Sequence, residues 1–143
     1  MILVDANLLL YAVNVAATQH AAARDWLDAR LSGTEPVGFP WPVILAFLRI
    51  TTHPGMFPRP LTIRTATGKM AAWLGQPVVR VLDPGGEHWR HFAELLQTTQ
   101  CRGNLVQDAH LAALAIEYGA TLCSTDNDFS RFPGLKWLNP LTV

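Results

Sequence analysis

Features that define several large classes of protein are missing from this sequence. Its two cysteines, Cys101 and Cys123, are too few for a disulfide framework and lack the CxxC or HxxxH spacing of a zinc site. No hydrophobic run approaches the roughly 18 residues that a membrane-spanning helix needs, and the first residues lack the basic flank of a signal peptide. We therefore expect a cytoplasmic protein that makes no contact with a membrane, with Cys123 in its core.

Net charge is also missing, because eleven Lys and Arg balance eleven Asp and Glu. Taken alone, this balance argues against a nucleic-acid partner, since phosphates usually select a basic surface. The balance would change if four of the acids gathered in one site. The remaining surface would then hold eleven bases against seven acids.

The composition that remains is that of a globular protein, with 50% apolar residues and no repeat or linker. We predict a single domain over residues 1–143. Short apolar strands at 2–4, 37–39, 78–82, 120–124 and 136–138 alternate with helices after Asn7 and at 20–31, 42–52, 62–74, 86–99 and 105–118. This alternation predicts an α/β fold, a three-layer α/β/α sandwich around a short, mostly parallel sheet.

The helices carry local signals of their own. Asn104 and Gln107 have the spacing of a capping box, and Gly119 is expected to end the helix that follows them. The helix at 86–99 should bury one apolar face, made of Trp89, Phe92, Ala93 and Leu96.

Four aspartates fall where such a sheet would bring them together. Asp5 follows the first strand, Asp126 and Asp128 in "CSTDNDF" follow the strand at 120–124, and Asp108 lies near the start of a helix. Open parallel sheets bind ligands at the carboxyl ends of their strands, near the point where the strand order reverses. Clustered carboxylates repel one another unless a cation intervenes, and oxygen ligands suit Mg²⁺ or Mn²⁺.

Each of these acids also has a simpler interpretation. Asp5 or Asp126 alone could be a helix cap, and Asp128 could belong to an Asx-turn. Ordinary structural roles are expected for the histidines, although His88 and His91 could share a helix face. Four arginines could contact phosphate, and the sequence does not rank them: Arg49, Arg59, Arg64 and Arg102.

Three segments together resemble the VapC toxins, which are PIN-domain proteins of bacterial toxin–antitoxin pairs. These segments are the opening "DANLL", the helix "DAHLAALA" and the strand exit "TDNDF", and the resemblance covers essentially the whole chain. It implies a PIN-like fold and a metal-dependent endoribonuclease that cuts structured RNA, such as tRNA or rRNA, with a metal-activated water. It also implies a cognate antitoxin and a homodimer.

By the same resemblance, Asp5, Asp108 and Asp126 are the catalytic metal ligands, Asp128 supports them, and Asn7 orients Asp5. The family usually adds a glutamate in the helix after the second strand. Here "PWPVILAFLRI" has Phe47 near that position, and no acid lies between Glu35 and Asp83. This departure leaves open a catalytically weak or inactive module that binds RNA or a partner without cutting it.

Other interpretations of the acids fit less well. A phosphorylated receiver domain would need adjacent early acids and a lysine after a late strand, which neither Lys69 nor Lys136 provides. A haloacid-dehalogenase-type phosphatase would need an aspartate at position 7, where the chain has Asn7. The apolar helices at 42–52 and 62–74 are the expected surfaces for the antitoxin or for dimerisation, because they carry more large side chains than one small sheet face can bury.

Overall fold

The computed structural model describes residues 1–142. Its elements are β1 (Ile2–Val4), α1 (Ala6–Val13), α2 (His20–Leu31), β2 (Val37–Pro40), α3 (Trp41–Thr51), α4 (Ile63–Leu74), β3 (Val79–Leu82), α5 (His88–Thr99), α6 (Leu105–Tyr118), β4 (Thr121–Cys123), a 3-10 helix (Asn127–Arg131) and β5 (Lys136–Leu138). Every predicted strand and helix is present, with boundaries shifted by at most two residues.

The five strands form one sheet in the order β3-β2-β1-β4-β5, and all four pairings are parallel. The chain moves outward from β1 to β3, then crosses to the other side of β1 to add β4 and β5. The strand order therefore reverses between β1 and β4, which is where an open parallel sheet places its binding site.

β1 and β2 are buried along their whole length, as expected of a parallel sheet covered on both faces. Around the sheet, α1 packs against α2 and α3, α3 packs against α4, and α5 packs against α6. Cys123 is buried, as predicted. The fold is the predicted three-layer α/β/α sandwich, and no helix within residues 1–142 is both long enough and apolar enough to cross a membrane.

Two local predictions were wrong. Asn104 occupies the N-cap position of α6, but its backbone is already helical and its side chain makes no capping hydrogen bond, so the capping box does not form. Trp89 is 70% exposed, because the buried face of α5 runs through His88 and Leu95 and leaves the neighbouring position outside. The predicted end of α6 is confirmed, since Gly119 adopts the left-handed conformation at φ 63°.

Candidate active site

The ends of β1 and β4 lie side by side at the point where the strand order reverses. Val4 pairs with Cys123, and the Asp5 amide donates a hydrogen bond of 3.0 Å to the Cys123 carbonyl. Asp5 then begins α1 as its N-cap, while Asp126 caps the 3-10 helix after β4. Parallel pairing thus brings together two acids that are 121 positions apart in the chain.

Three donors hold the Asp5 carboxylate in place. The Ala6 amide donates to Oδ1 at 2.7 Å, and the Ser124 hydroxyl donates to Oδ2 at 2.7 Å. The Asn7 side-chain nitrogen lies 3.4 Å from the same Oδ2. This contact is longer than the other two, and it is consistent with a role of Asn7 in orienting Asp5. The carboxylate is therefore fixed by its surroundings rather than free to rotate.

Ser124 joins the two strand ends, although no motif in the sequence had selected it. Its buried hydroxyl accepts hydrogen bonds from the Asn7 side chain at 3.0 Å and from the Asp126 amide at 3.1 Å, while it donates to Asp5. The Thr125 amide also lies 3.4 Å from the Asn7 side-chain oxygen. The available signal was a small hydroxyl residue directly after a buried strand, beside an acidic turn.

Asp108, Asp126 and Asp128 each offer a carboxylate oxygen, and these three oxygens lie within 4.8 Å of one another. The Asp128 amide donates to Asp126 Oδ1 at 2.8 Å, which orients the short turn. Arg131 pairs with Asp128 at 3.1 Å. The compact group thus contains Asp128, which was predicted only to support the site, whereas Asp5 lies beside this group and does not belong to it.

Two of these acids, Asp108 and Asp5, have a raised pKa. Burial, followed by the charges of Asp126, Asp5 and Asp128, raises the pKa of Asp108 to about 6, against a smaller lowering by Arg131. Burial also raises the pKa of Asp5, although its hydrogen bonds from Ser124 and Ala6 oppose this shift. Such a set of oxygen donors fits a hard divalent cation, which would relieve the mutual repulsion.

A cleft of about 660 Å³ is lined by two of these acids, Asp5 and Asp108, and by residues of α3, α5 and α6. The α3 residues that line it are Pro42, Val43, Ala46 and Arg49. Arg49 is therefore the one arginine among the four phosphate candidates that lines this cleft.

Phe47, which stands near the position where the resemblance expects a glutamate, does not line the cleft. Phe47 is fully buried and packs edge-on against Trp73, with ring centroids 5.0 Å apart. Ala46 is the residue that faces the cleft, because neighbouring positions on a helix point about 100° apart. α3 thus contributes no carboxylate to the cleft, and the side chain at this position is the methyl group of Ala46.

The histidines are not all isolated. His88 Nε2 lies 2.9 Å from His110 Nδ1, and His110 lines the cleft. His88 Nδ1 is buried without a hydrogen bond, 3.6 Å from Glu117 Oε1. The pair that forms is thus His88 with His110, from two different helices, rather than His88 with His91.

Comparison with known proteins places this arrangement in a family. The family model described as "PIN domain" matches residues 2–135. Ribonuclease VapC37 of Mycobacterium tuberculosis is 46% identical over 140 residues, which covers 98% of this chain and 97% of that protein.

Two solved structures share the fold. VapBC2 from Rickettsia felis, bound to a DNA fragment from its promoter, has a TM-score of 0.72 at 19% identity over 97% of this chain and 98% of that one. VapC20 of Mycobacterium tuberculosis, described as a toxin that cleaves the sarcin-ricin loop, has a TM-score of 0.68 at 22% identity over 95% and 99% of the two chains.

The fold is therefore that of a PIN-domain nuclease. Within the PIN-domain family, this chain belongs to the VapC ribonucleases.

Proposed function

We propose that the chain is a Mg²⁺- or Mn²⁺-dependent endoribonuclease and the toxin of a toxin–antitoxin pair in the cytoplasm. The observation that carries the proposal is the convergence of Asp108, Asp126 and Asp128 within 4.8 Å, beside a cleft that Asp5 and Asp108 line. Like charges at this spacing are unfavourable without a cation, and nucleases that use carboxylates and divalent ions pay this cost to bind metal and phosphate.

The residues take separate roles in this proposal. Asp108, Asp126 and Asp5 hold the metal with support from Asp128, while Asn7 and Ser124 keep Asp5 oriented through the hydrogen bonds described above. When bound, the ion neutralises phosphate charge and lowers the pKa of a coordinated water. Arg49 is placed to contact an RNA phosphate at the α3 wall of the cleft.

The substrate class that we propose is structured RNA, of the tRNA or rRNA type. The names of the relatives support it, since VapC37 is called a ribonuclease and VapC20 is described as cleaving the sarcin-ricin loop. Sequencing of RNA fragments after controlled expression of the chain would identify the target and the cleavage site.

Cleavage of RNA by the purified chain tests the enzyme proposal directly. We expect cleavage in millimolar Mg²⁺ or Mn²⁺ and none in excess EDTA. Asp126→Asn should abolish cleavage, whereas Asp28→Asn, which removes an exposed acid of α2, should leave it unchanged. Equal activity of the parent and Asp126→Asn would contradict the proposal. Crystals soaked in Mn²⁺ should also show metal about 2.0–2.4 Å from at least two of the carboxylates.

A non-enzymatic RNA- or partner-binding module is the second candidate, and the side chain of Ala46 favours it. This residue gives the cleft no carboxylate from α3, so metal would be held by fewer acids than the family resemblance implies. Mg²⁺ or Mn²⁺ affinity of the isolated chain separates the two candidates. Binding together with RNA cleavage supports the enzyme, and RNA binding without metal affinity supports the module.

The proposed protein partners are a cognate antitoxin and a second copy of the chain. The exposed face of α3 supports the proposal, since Trp41 is 47% exposed and Leu45, one turn later, is 60% exposed. Leu48, Trp73 and Leu74 belong to the two helices that were predicted to share this role, but they are partly buried. A parent protein that stays monomeric at micromolar concentration would contradict the homodimer.

A further inference from the structure

Four aromatic rings from α5 and α6 form a connected cluster at one side of the acidic cleft. Trp89 contacts Phe92 edge-on with centroids 6.1 Å apart, and Phe92 contacts His110 edge-on at 5.9 Å. His88 completes the cluster, 4.7 Å from His110 and 5.7 Å from Phe92. Phe92 and His110 line the same cleft as Asp5.

The cluster is rigid on its inner side and open on its outer side. His88 is 8% exposed and bonded to His110, and the nearby Glu117 is itself held by the Gly85 amide at 3.0 Å. Trp89 is 70% exposed, more than any other Phe, Tyr or Trp side chain among residues 1–142. The more buried rings of the cluster support the exposed indole of Trp89 through its contact with Phe92. An exposed indole face that is held in place next to a reaction site is suited to bind another flat ring.

We infer that Trp89 and Phe92, backed by His110, form a stacking platform for an unpaired RNA nucleobase beside the acidic cleft. The inference rests on the proposed function for the nature of the ligand. Stacking on aromatic side chains is how proteins hold single-stranded bases, and it needs no charge. An uncharged platform suits this position, because the neighbouring aspartates repel a phosphate that has no metal beside it.

The cleft favours a nucleobase over a protein side chain as the occupant. The platform is continuous with the cleft, since Phe92 lines the cleft and also contacts the exposed Trp89. An RNA strand whose phosphate lies over the acids would therefore carry its neighbouring base onto this surface. A protein that covered Trp89 alone would not need the Phe92 and His110 rings inside the cleft.

The test measures affinity for an RNA hairpin with a short randomised loop, and for the same hairpin with an abasic loop. Both are titrated against the full chain carrying Asp126→Asn, so that neither is cut. Trp89→Leu should weaken binding of the hairpin with bases about 10-fold, the scale of one stacked base, and leave the abasic hairpin unchanged. Trp89→Phe should restore most of the loss. Tyr118→Leu, which removes an exposed aromatic ring that does not line the cleft, is the matched control and should change neither affinity.

Tryptophan fluorescence gives a second measurement that does not depend on cleavage. The hairpin with bases should quench emission in the chain carrying Asp126→Asn, with or without Tyr118→Leu, and this quenching should be lost when Trp89→Leu is added. Three results would overturn the platform. The chain carrying Asp126→Asn could bind the hairpin with bases equally well with and without Trp89→Leu, Trp89→Leu could weaken the binding of both hairpins equally, or neither hairpin could bind. If the chain without substitutions cleaves RNA and Trp89→Leu does not change the affinity for the hairpin with bases, only the platform inference is wrong. If binding of the hairpin depends on Trp89 but the chain without substitutions cleaves no RNA, the enzyme proposal is wrong and the platform stands.

Discussion

The strand-end wall of the cleft and its α3 wall have opposite character. At the strand ends, Asp5 and Asp126 are tied to Ser124 by short hydrogen bonds, and the local charge is strongly negative. The α3 wall offers Pro42, Val43 and Ala46, with Arg49 as its cation. All the negative charge of the site thus comes from the strand ends and α6. Metal binding and catalysis should therefore depend strongly on these acids, and substitutions in α3 should change them less.

The largest expected effect is at the strand-end wall. Asp5→Asn keeps the size of the side chain and removes its charge, and cleavage should fall more than about 100-fold, beyond the loss expected for an outer partner of a ligand. The measurement is the RNA cleavage rate at saturating Mg²⁺. Unchanged cleavage would mean that the compact group of Asp108, Asp126 and Asp128 acts without Asp5.

The α3 wall can be tested with two neighbouring substitutions. Phe47→Glu should lower the unfolding free energy by about 3–5 kcal/mol or more, because it removes a core ring and buries a carboxylate. Ala46→Glu should keep the fold and strengthen Mg²⁺ binding about 10-fold or more, since it adds a charge within the cleft. Denaturant unfolding and metal titration of both variants check this. If Phe47→Glu is stable and binds metal more strongly than the parent, residue 47 rather than residue 46 is the α3 position from which an acid reaches the metal.

A smaller effect is expected at the hydrogen-bonded link between the strands. Ser124→Ala removes the donor to Asp5 and the acceptor for the Asp126 amide, and cleavage should fall about 10- to 100-fold. Ser130→Ala is the control, because its hydroxyl bonds only the Asn127 carbonyl at the exposed surface. Full activity of Ser124→Ala would show that the Ala6 and Asn7 contacts suffice to orient Asp5.

The smallest effect concerns pH in the metal-free chain. The pKa of Asp108 is raised from 3.8 to about 6, so between these values the folded state holds more protons than the unfolded state. Stability should therefore fall as pH rises through this window, and Asp5 contributes in the same direction. Asp108→Asn should flatten the dependence of Tm on pH, and Asp28→Asn should not. Mg²⁺ should raise Tm at pH 7 in the parent, and a flat parent profile would contradict the repulsion described here.

The acids were predictable from the sequence because strand ends in a parallel sheet have few possible positions. Asp5 and Asp126 follow short apolar strands, and parallel pairing of those strands fixes them at one edge. Their grouping was less predictable, since the turn after β4 brings Asp128 into the compact group, and Asp5 is hydrogen-bonded to Ser124 outside that group. Those details depend on side-chain hydrogen bonds that no spacing rule describes.

The sequence by itself determined the alternation of strands and helices, and with it the sheet and the edge where the carboxylates meet. Only the tertiary structure decided which face of each helix turns inward. An error of one residue rotates a helical position by about 100°, which is why Ala46 rather than Phe47 faces the cleft. The same rotation places Trp89 in solvent, because packing of α5 on α6, and not the apolar pattern alone, selects the buried side of the helix.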